Sequence, residues 1–480
     1  MEKISTAKVT IGLEIHCQLT NLRTKLFCSC SANYREEEPN TLICPVCMGL
    51  PGTLPVMNEK ALELTSKIAL ALGSKLSKDM LFFRKNYFYP DLPKNFQITQ
   101  YDKVGAMPIA VGGFIPLNSL HNVKLRRIQL EEDPAKISYE GSITSSSYSL
   151  VDYNRAGIAL VEIVTEPDIK SPKEARELLE KLKSILEHLE VFDGGLDGSM
   201  RCDANISIRG RGRVEVKNIS SFKEVERALS FEVTRQTTLS RRDVKSMETR
   251  HWDDARRVTV SLRNKEEEEE YRYFPEPDLL PVIFSDEYVT RVKDQLLELP
   301  DDRRERLVHD YGITAQASDV LTRNKALADF FEASVSIYSS NKRISNWLAG
   351  DILAYMNRKG KKIDELKITA SALVELVQMV DEEVLSERTG KNVLFDVLET
   401  GFSPKDIVKE KGLERVSDED YIEKLTSEVF DKNPKPVQDS LKNEKTIHFL
   451  LGLVMKAAKG KVDPKEARDK IVQKLGTLKQ

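Results

Sequence analysis

The chain has 480 residues, room for two to four domains, and its 73 Lys+Arg against 76 Asp+Glu leave a formal charge of −3. This balance excludes a protein held on nucleic acid by overall charge, while leaving local basic patches to be examined. Hydrophobic residues at 40% and charged residues at 31% are ordinary for a globular protein, and no apolar run approaches a membrane span. The first residues, Met1-Glu-Lys-Ile-Ser-Thr-Ala-Lys-Val9, carry no signal-peptide core and no Arg-rich presequence. The expectation is a cytoplasmic protein with reduced thiols and no membrane association.

In chain order, Val9, Ile11, Leu13 and Ile15 alternate with Thr10, Gly12, Glu14 and His16, which predicts a half-buried strand with Glu14 and His16 on its polar face. Four cysteines follow within twenty positions, as Cys28-Ser-Cys30 and Cys44-Pro-Val-Cys47. Two close pairs separated by a loop suit one tetrahedral Zn²⁺, and reduced thiols argue against two disulfides. Four protein ligands leave no open position, so this zinc would be structural. Cys17 and Cys202 read as ordinary buried thiols. The segment Arg84–Asp102 mixes aromatics, cations and amides with two prolines and reads as a rigid, non-regular loop presenting polar side chains.

Further strands are predicted at Val123–Glu131, Gly157–Thr165, Cys202–Arg209 and Val214–Asn218. Ser171, Pro172 and Glu174 form the signature of a capping box, and a leucine-rich stripe from Ala175 to Leu189 marks a packing helix. Lys265–Glu270 reads as a solvated acidic stretch. Beyond Asp301 the periodicity is helical, and Asn433-Pro-Lys-Pro436 reads as a linker. The last forty residues hold ten Lys+Arg and four Asp+Glu, a local charge of +6. That suits either a solubilising tail or phosphate contact with a nucleic acid. The expected fold class is α+β, a strand-rich half followed by helices.

Glu162 stands between Leu160-Val161 and Ile163-Val164, and a carboxylate in an apolar strand is costly unless paired. Glu131, Glu132 and Asp133 end another strand. A hard cation such as Mg²⁺ would satisfy several of these groups together with Glu14 and His16, and separate salt bridges to Arg126, Arg127 and Arg155 would do so without one. There is no phosphate-binding Gly-rich loop, no dinucleotide fingerprint and no Gly-rich serine motif of an amidase or hydrolase. A nucleotide would have to bind on an uncommon scaffold.

Together these segments resemble one family, the B subunit of the glutamine-dependent aspartyl/glutamyl-tRNA(Asn/Gln) amidotransferase. The resemblance is carried by Ile11-Gly-Leu-Glu-Ile-His16, Lys25-Leu-Phe-Cys-Ser-Cys30, Cys44-Pro-Val-Cys-Met-Gly-Leu-Pro-Gly52, Arg84–Asp102 and Leu130-Glu-Glu-Asp133. It continues through Ser149–Arg155, Glu162-Ile-Val-Thr-Glu-Pro-Asp168, Arg201-Cys-Asp-Ala-Asn205, Glu215-Val-Lys-Asn218 and Tyr271-Arg-Tyr-Phe-Pro275. Gln129, Pro134-Ala135 and Ala159 depart from the usual family residues.

The resemblance implies a strand-rich cradle (kinase) domain over 1–294, an all-helical domain over 295–410 and a small YqeY-like helical tail over 411–480 that reaches tRNA. It implies ATP-dependent phosphorylation of the side-chain carboxylate of Glu-tRNA(Gln) or Asp-tRNA(Asn), followed by amidation with ammonia. Glu14, His16, Glu131 and Glu162 match the family's catalytic Mg²⁺ residues, and Cys28, Cys30, Cys44 and Cys47 its zinc ligands. Lys85 and Lys94 resemble residues lining the ammonia path. The missing amidase motif fits glutamine hydrolysis on a separate A subunit, with a small C subunit completing a heterotrimer. The related E-type subunit, specific for Glu-tRNA(Gln), has an inserted domain for which this chain has no room. The other reading is a non-catalytic tRNA-binding zinc protein, which would have no need of the four metal-site residues together.

Overall fold

The computed structural model describes residues 9–103, 106–117, 121–140, 146–208, 212–219, 221–239, 247–262, 268–413, 419–442, 446–458, 462 and 464–478. The chain forms two compact units, Met1–Pro300 and Asp301–Gln480. The first is built on a ten-stranded sheet. Its central strands run in the order Arg213–Ile219, Met200–Ile208, Val9–Gln18, Ala159–Thr165 and Asn122–Glu132, each antiparallel to its neighbour. Met247–Asp253 joins Arg213–Ile219 in parallel.

Alternation dictates what each face of this sheet does. Ile11, Leu13, Ile15 and Cys17 are buried in one core with Val161, Ile163, Ala204 and Ile206. The helices Pro172–His188 and Phe222–Thr238 supply Leu178, Leu179, Leu182, Ala228 and Leu229 to that core. The opposite face is left to Glu14, His16 and their cross-strand partners. Burying about 100 Å² of each leucine at roughly 25 cal/mol per Å² is what holds helix to sheet, so the polar face can be shaped for chemistry.

The capping signal at Ser171 is realised, since its side chain accepts from Glu174 N. The reciprocal bond goes elsewhere: the Glu174 carboxylate accepts from Lys170 N, one residue before the cap. The Arg84–Asp102 segment is more regular than expected. Phe83–Asn86 and Phe96–Thr99 pair as antiparallel strands, with Phe274–Pro275 on the other edge. Its mixed composition is tolerated because Ile98 enters the core while the buried polar side chains Gln97 and Thr99 are hydrogen-bonded, to Glu132 O and Glu131.

Among its described residues the second unit is helical. Helices from Pro300–Tyr311 to Pro404–Lys411 close a core around Phe331, Trp347, Leu373, Val377 and Leu394. A separate core gathers Ile422, Val429, Phe430, Leu450, Val454 and Ile471. Asn433–Pro436 is not a linker, because Pro434 opens the helix Pro434–Lys442 directly after Glu419–Lys432. Proline is tolerated in a first turn, where its missing N–H has no intrahelical partner to lose. Residues 265–267 of the acidic run, and Lys445, Lys459, Lys461 and Lys479 of the basic tail, lie outside the described residues. No described helix is long and apolar enough to cross a membrane.

Candidate active site and thiolate centre

The strand register brings the polar residues together. His16 lies opposite Glu162 on one side and Arg201 on the other, while Glu131 stands one strand further, opposite Leu160. His16 Nε2 is 3.8 Å from Glu14, 3.9 Å from Glu131 and 3.7 Å from Glu162. These separations are too long for hydrogen bonds. They fall within the roughly 3.0–4.2 Å spread of donor atoms around a six-coordinate cation bound at about 2.1 Å. Glu14, His16 and Glu162 offer donor atoms that all lie within 4.8 Å of one another. Carboxylates suit Mg²⁺, and the imidazole extends the choice to Mn²⁺.

Burial and the surrounding charges set the three carboxylates apart. Burial, reinforced by Glu14 and Glu131, raises the Glu162 carboxyl to about 7. Burial likewise raises Glu131, against the pull of Lys85 and of Thr99, whose Oγ1 donates to it at 2.7 Å. Burial also pushes Glu14 up, but His16, Lys217 and Lys85 more than offset this and hold it below its usual range. Salt bridging is also present: Arg127 donates to Glu162 at 3.0 Å and to Asp102 at 3.1 Å. One guanidinium cannot neutralise three carboxylates, so Glu14 and Glu131 are not answered by it.

The cavity over this cluster has a volume of about 570 Å³. Lys85 enters it from Phe83–Asn86, with its ammonium 4.8 Å from the Tyr271 ring. Arg201 and Lys217 enter from the neighbouring strands, and sequence reasoning does not single out either as a site residue. A signal exists for Arg201, which stands between Met200 and Cys202 much as Glu162 stands between apolar neighbours. Glu132 and Asp133 do not join the cluster. Glu132 pairs with Lys94 at 2.6 Å, and Asp133 is held by Arg201 and Gln18. Lys94 therefore sits apart from Lys85, lining a separate cavity of about 170 Å³ with Cys28, Cys47, Gly49 and Glu132.

The other wall of that smaller cavity is the cysteine loop. Cys28, Cys30, Cys44 and Cys47 carry no disulfide, and their sulfurs all lie within 4.8 Å of one another. A tetrahedral zinc with bonds of about 2.3 Å needs sulfurs about 3.8 Å apart, which this set can supply with small shifts. Cys44 N donates to Cys47 Sγ at 3.1 Å, and Gly49 turns the chain at a φ of 66°. A hydrogen bond from Cys28 and the nearby Lys25 ammonium lower the Cys47 thiol to about 5. Lys25 is fully buried, 3.9 Å from that sulfur. Cys17 and Cys202 are buried and free.

A family model described as the GatB/GatE catalytic domain matches residues 9–290, and one described as the GatB domain matches residues 329–475. The B subunit of an aspartyl/glutamyl-tRNA(Asn/Gln) amidotransferase from Saccharolobus solfataricus is 46% identical over 470 residues, covering 98% of this chain and 99% of the relative. The corresponding protein of Thermotoga maritima is 48% identical over 478 residues, covering 97% and 98%. That of Methanococcoides burtonii is 45% identical over 472 residues, covering 97% and 98%. With matches that span both units from end to end, the chain belongs to the family of aspartyl/glutamyl-tRNA(Asn/Gln) amidotransferase B subunits.

Proposed function

We propose that this chain is the kinase and amidating subunit of a tRNA-dependent amidotransferase. In this reading it activates the side-chain carboxylate of Glu-tRNA(Gln) or Asp-tRNA(Asn) with ATP and converts it to the amide with ammonia. The observation that carries the reading is the meeting of Glu14, His16, Glu131 and Glu162 on one sheet face beside Lys85. A free carboxylate is a poor acyl donor. Its oxygen attacks the γ-phosphorus, the bond to the β-phosphate oxygen breaks, and ADP leaves an acyl phosphate. Ammonia then attacks the carbonyl carbon, and phosphate departs.

Glu14, His16, Glu131 and Glu162 would hold Mg²⁺, which when bound offsets the charge of the ATP phosphates. Lys85 and Arg201 face the same cavity and would orient the anionic acyl end. Amide formation releases a proton, and a carboxylate raised by burial, such as Glu131, is suited to accept it. Lys85 and Lys94 would line the ammonia path, one in each of the two cavities. An amidase A subunit would supply the ammonia and a small C subunit would complete the complex. Zinc on the four cysteines would hold the loop that walls the smaller cavity. Acting on tRNA, the complex belongs in the cytoplasm.

Cation binding should depend on pH with a definite sign. Because Glu162 is raised to about 7, the cation-free protein keeps a proton there below that pH and loses the associated stability as pH rises through it. Mg²⁺ must displace that proton, so its affinity rises with pH. The increase in melting temperature caused by Mg²⁺ is expected to be larger at pH 8 than at pH 6. An increase independent of pH would take Glu162 out of the cation site.

Residues 295–410 and 411–480 would be the helical domain and the tRNA-binding tail. The second helical core runs from Ile422 to Leu475, so a clean truncation removes residues 414–480 rather than cutting after Asn433. This deletion is expected to weaken tRNA binding by about tenfold or more and to flatten its dependence on salt. Filter binding at several salt concentrations measures both. Unchanged affinity would make the tail a solubilising element.

A further inference from the structure

Lys25 is fully buried, and no carboxylate pairs with it among the described residues. A lysine stem usually carries its charge out to water. An ammonium turned inward needs negative charge close by. Glu132 does not supply it, since its carboxylate accepts from Lys94 at 2.6 Å and from Ile98 N at 2.8 Å. What faces the Lys25 ammonium is Tyr153 O at 3.3 Å and Cys47 Sγ at 3.9 Å. The carbonyl answers one N–H but has no net charge. The sulfur, as a thiolate, has one.

The backbone fixes the lysine in this place. Lys25 N donates to Cys30 O at 2.9 Å, and Leu26 N donates to Gly157 O at 2.9 Å. The residue therefore sits between the first cysteine pair and the turn that leads into Ala159–Thr165. A Cβ on Gly157 would lie 3.6 Å from Lys25 Cδ and 3.7 Å from Cys47 Cβ. Lysine stem, turn and second cysteine pair thus converge at one point. Cys44 N also donates to Cys47 Sγ, at 3.1 Å. Cys47 is the sulfur that meets both a backbone N–H and the lysine charge.

We infer that Lys25 is the counter-charge of the thiolate centre, a fixed cation that tightens the hold of the four cysteines on Zn²⁺ and slows its release. Four thiolates around one Zn²⁺ leave the centre doubly negative. Loading makes it more negative, because the thiol protons released outnumber the charges of the metal. A cation held at Cys47 favours the loaded form and draws electron density from that sulfur. An ammonium has no lone pair for a metal, so Lys25 is not a ligand and acts through Cys47. Through Tyr153 O the same side chain ties the centre to the turn before the strand of Glu162. The inference rests on the reading of the four cysteines as a zinc site and adds to it the residue outside the ligand set that tunes it.

The test uses the full chain in complex with its amidase and small partners, comparing the unsubstituted protein with Lys25→Met, Lys25→Gln and Lys25→Arg. Methionine keeps the stem and removes the charge. Glutamine keeps a donor for Tyr153 O without the charge, and it carries the test if the methionine variant does not fold. Arginine restores the charge. Release of zinc to the coloured chelator pyridylazoresorcinol is expected to be at least about tenfold faster in the two uncharged variants. The arginine variant should release it close to the unsubstituted rate. With Co²⁺ in place of zinc, the sulfur-to-metal charge-transfer band should move to longer wavelength in the uncharged variants and return with arginine. The d–d bands should stay those of a tetrahedral site. A lysine that only braces the turn would not move the charge-transfer band. An unmoved band in a folded uncharged variant, whether or not release is faster, would overturn the inference and leave the zinc site standing. Failure of the unsubstituted complex to hold either metal would overturn both.

Discussion

Replacing Glu131 by alanine is expected to lower amide formation by about a thousandfold or more while leaving tRNA affinity within about twofold. Glu131 is buried, accepts from Thr99 Oγ1 and faces both His16 and the Lys85 charge. Removing its carboxylate would take away one proposed cation ligand and one proposed proton acceptor together, and neither loss touches the helical unit proposed to hold the RNA. Glu131→Gln separates the two roles from simple misfolding. The amide keeps an oxygen for Thr99 and a similar volume, yet it cannot ionise, so its turnover should be nearly as low. Single-turnover assays with excess enzyme, run beside filter binding, measure both quantities. Turnover retained in either variant would remove Glu131 from the site.

The second large effect belongs to the cysteine loop. Cys47→Ser is expected to reduce bound zinc from about one per chain to a small fraction, because a closed four-sulfur site loses most of its affinity with one ligand. The Cys47 thiol is lowered to about 5 by the hydrogen bond from Cys28 and the buried Lys25 ammonium. Residues 32–42 are tied to Ile158 and to Asp152 and Asn154, but the stretch after them has weaker anchors: Leu50, Leu54 and Val56 are exposed, and the hydrogen bonds within 44–53 are short-range turns. Loss of zinc should therefore open residues 43–55 to proteolysis before the sheet unfolds, with cleavage mapped by mass spectrometry. Full zinc content in the variant would show that three cysteines suffice and that Cys47 is not a ligand.

Much of this is legible in the chain, for physical reasons that differ from residue to residue. The first strand can be read because alternation has a period of two and one face is buried. The cysteine cluster can be read because both close pairs are local in sequence. Glu162 is conspicuous because a carboxylate between Val161 and Ile163 has to be answered by something. What answers it cannot be read. Strand order decides that His16 lies opposite Glu162 while Glu131 waits one strand further, and order is set by long-range packing of the leucine-rich helices. Glu132 and Asp133 follow Glu131 directly yet belong to other partners. Successive residues of a strand point to opposite faces, which takes Glu132 to Lys94, and Asp133 lies past the strand's end, where Arg201 and Gln18 reach it. Lys85 and Lys94 come from one segment and read as one group, but the fold separates them into two cavities. Asn433–Pro436 reads as a linker only because proline marks a helix start as readily as a break.

The most direct test of the central claim is a reconstituted reaction. It contains this chain with its amidase and small partners, radiolabelled Glu-tRNA(Gln) or, in a parallel reaction, Asp-tRNA(Asn), with glutamine and Mg²⁺, with and without ATP. Labelled glutamine or asparagine on the tRNA is expected only where ATP is present, with ADP formed in equal amount. Intact binding of Glu-tRNA(Gln) and Asp-tRNA(Asn) with no amide formed on either would contradict the account and leave a protein that binds tRNA without acting on it.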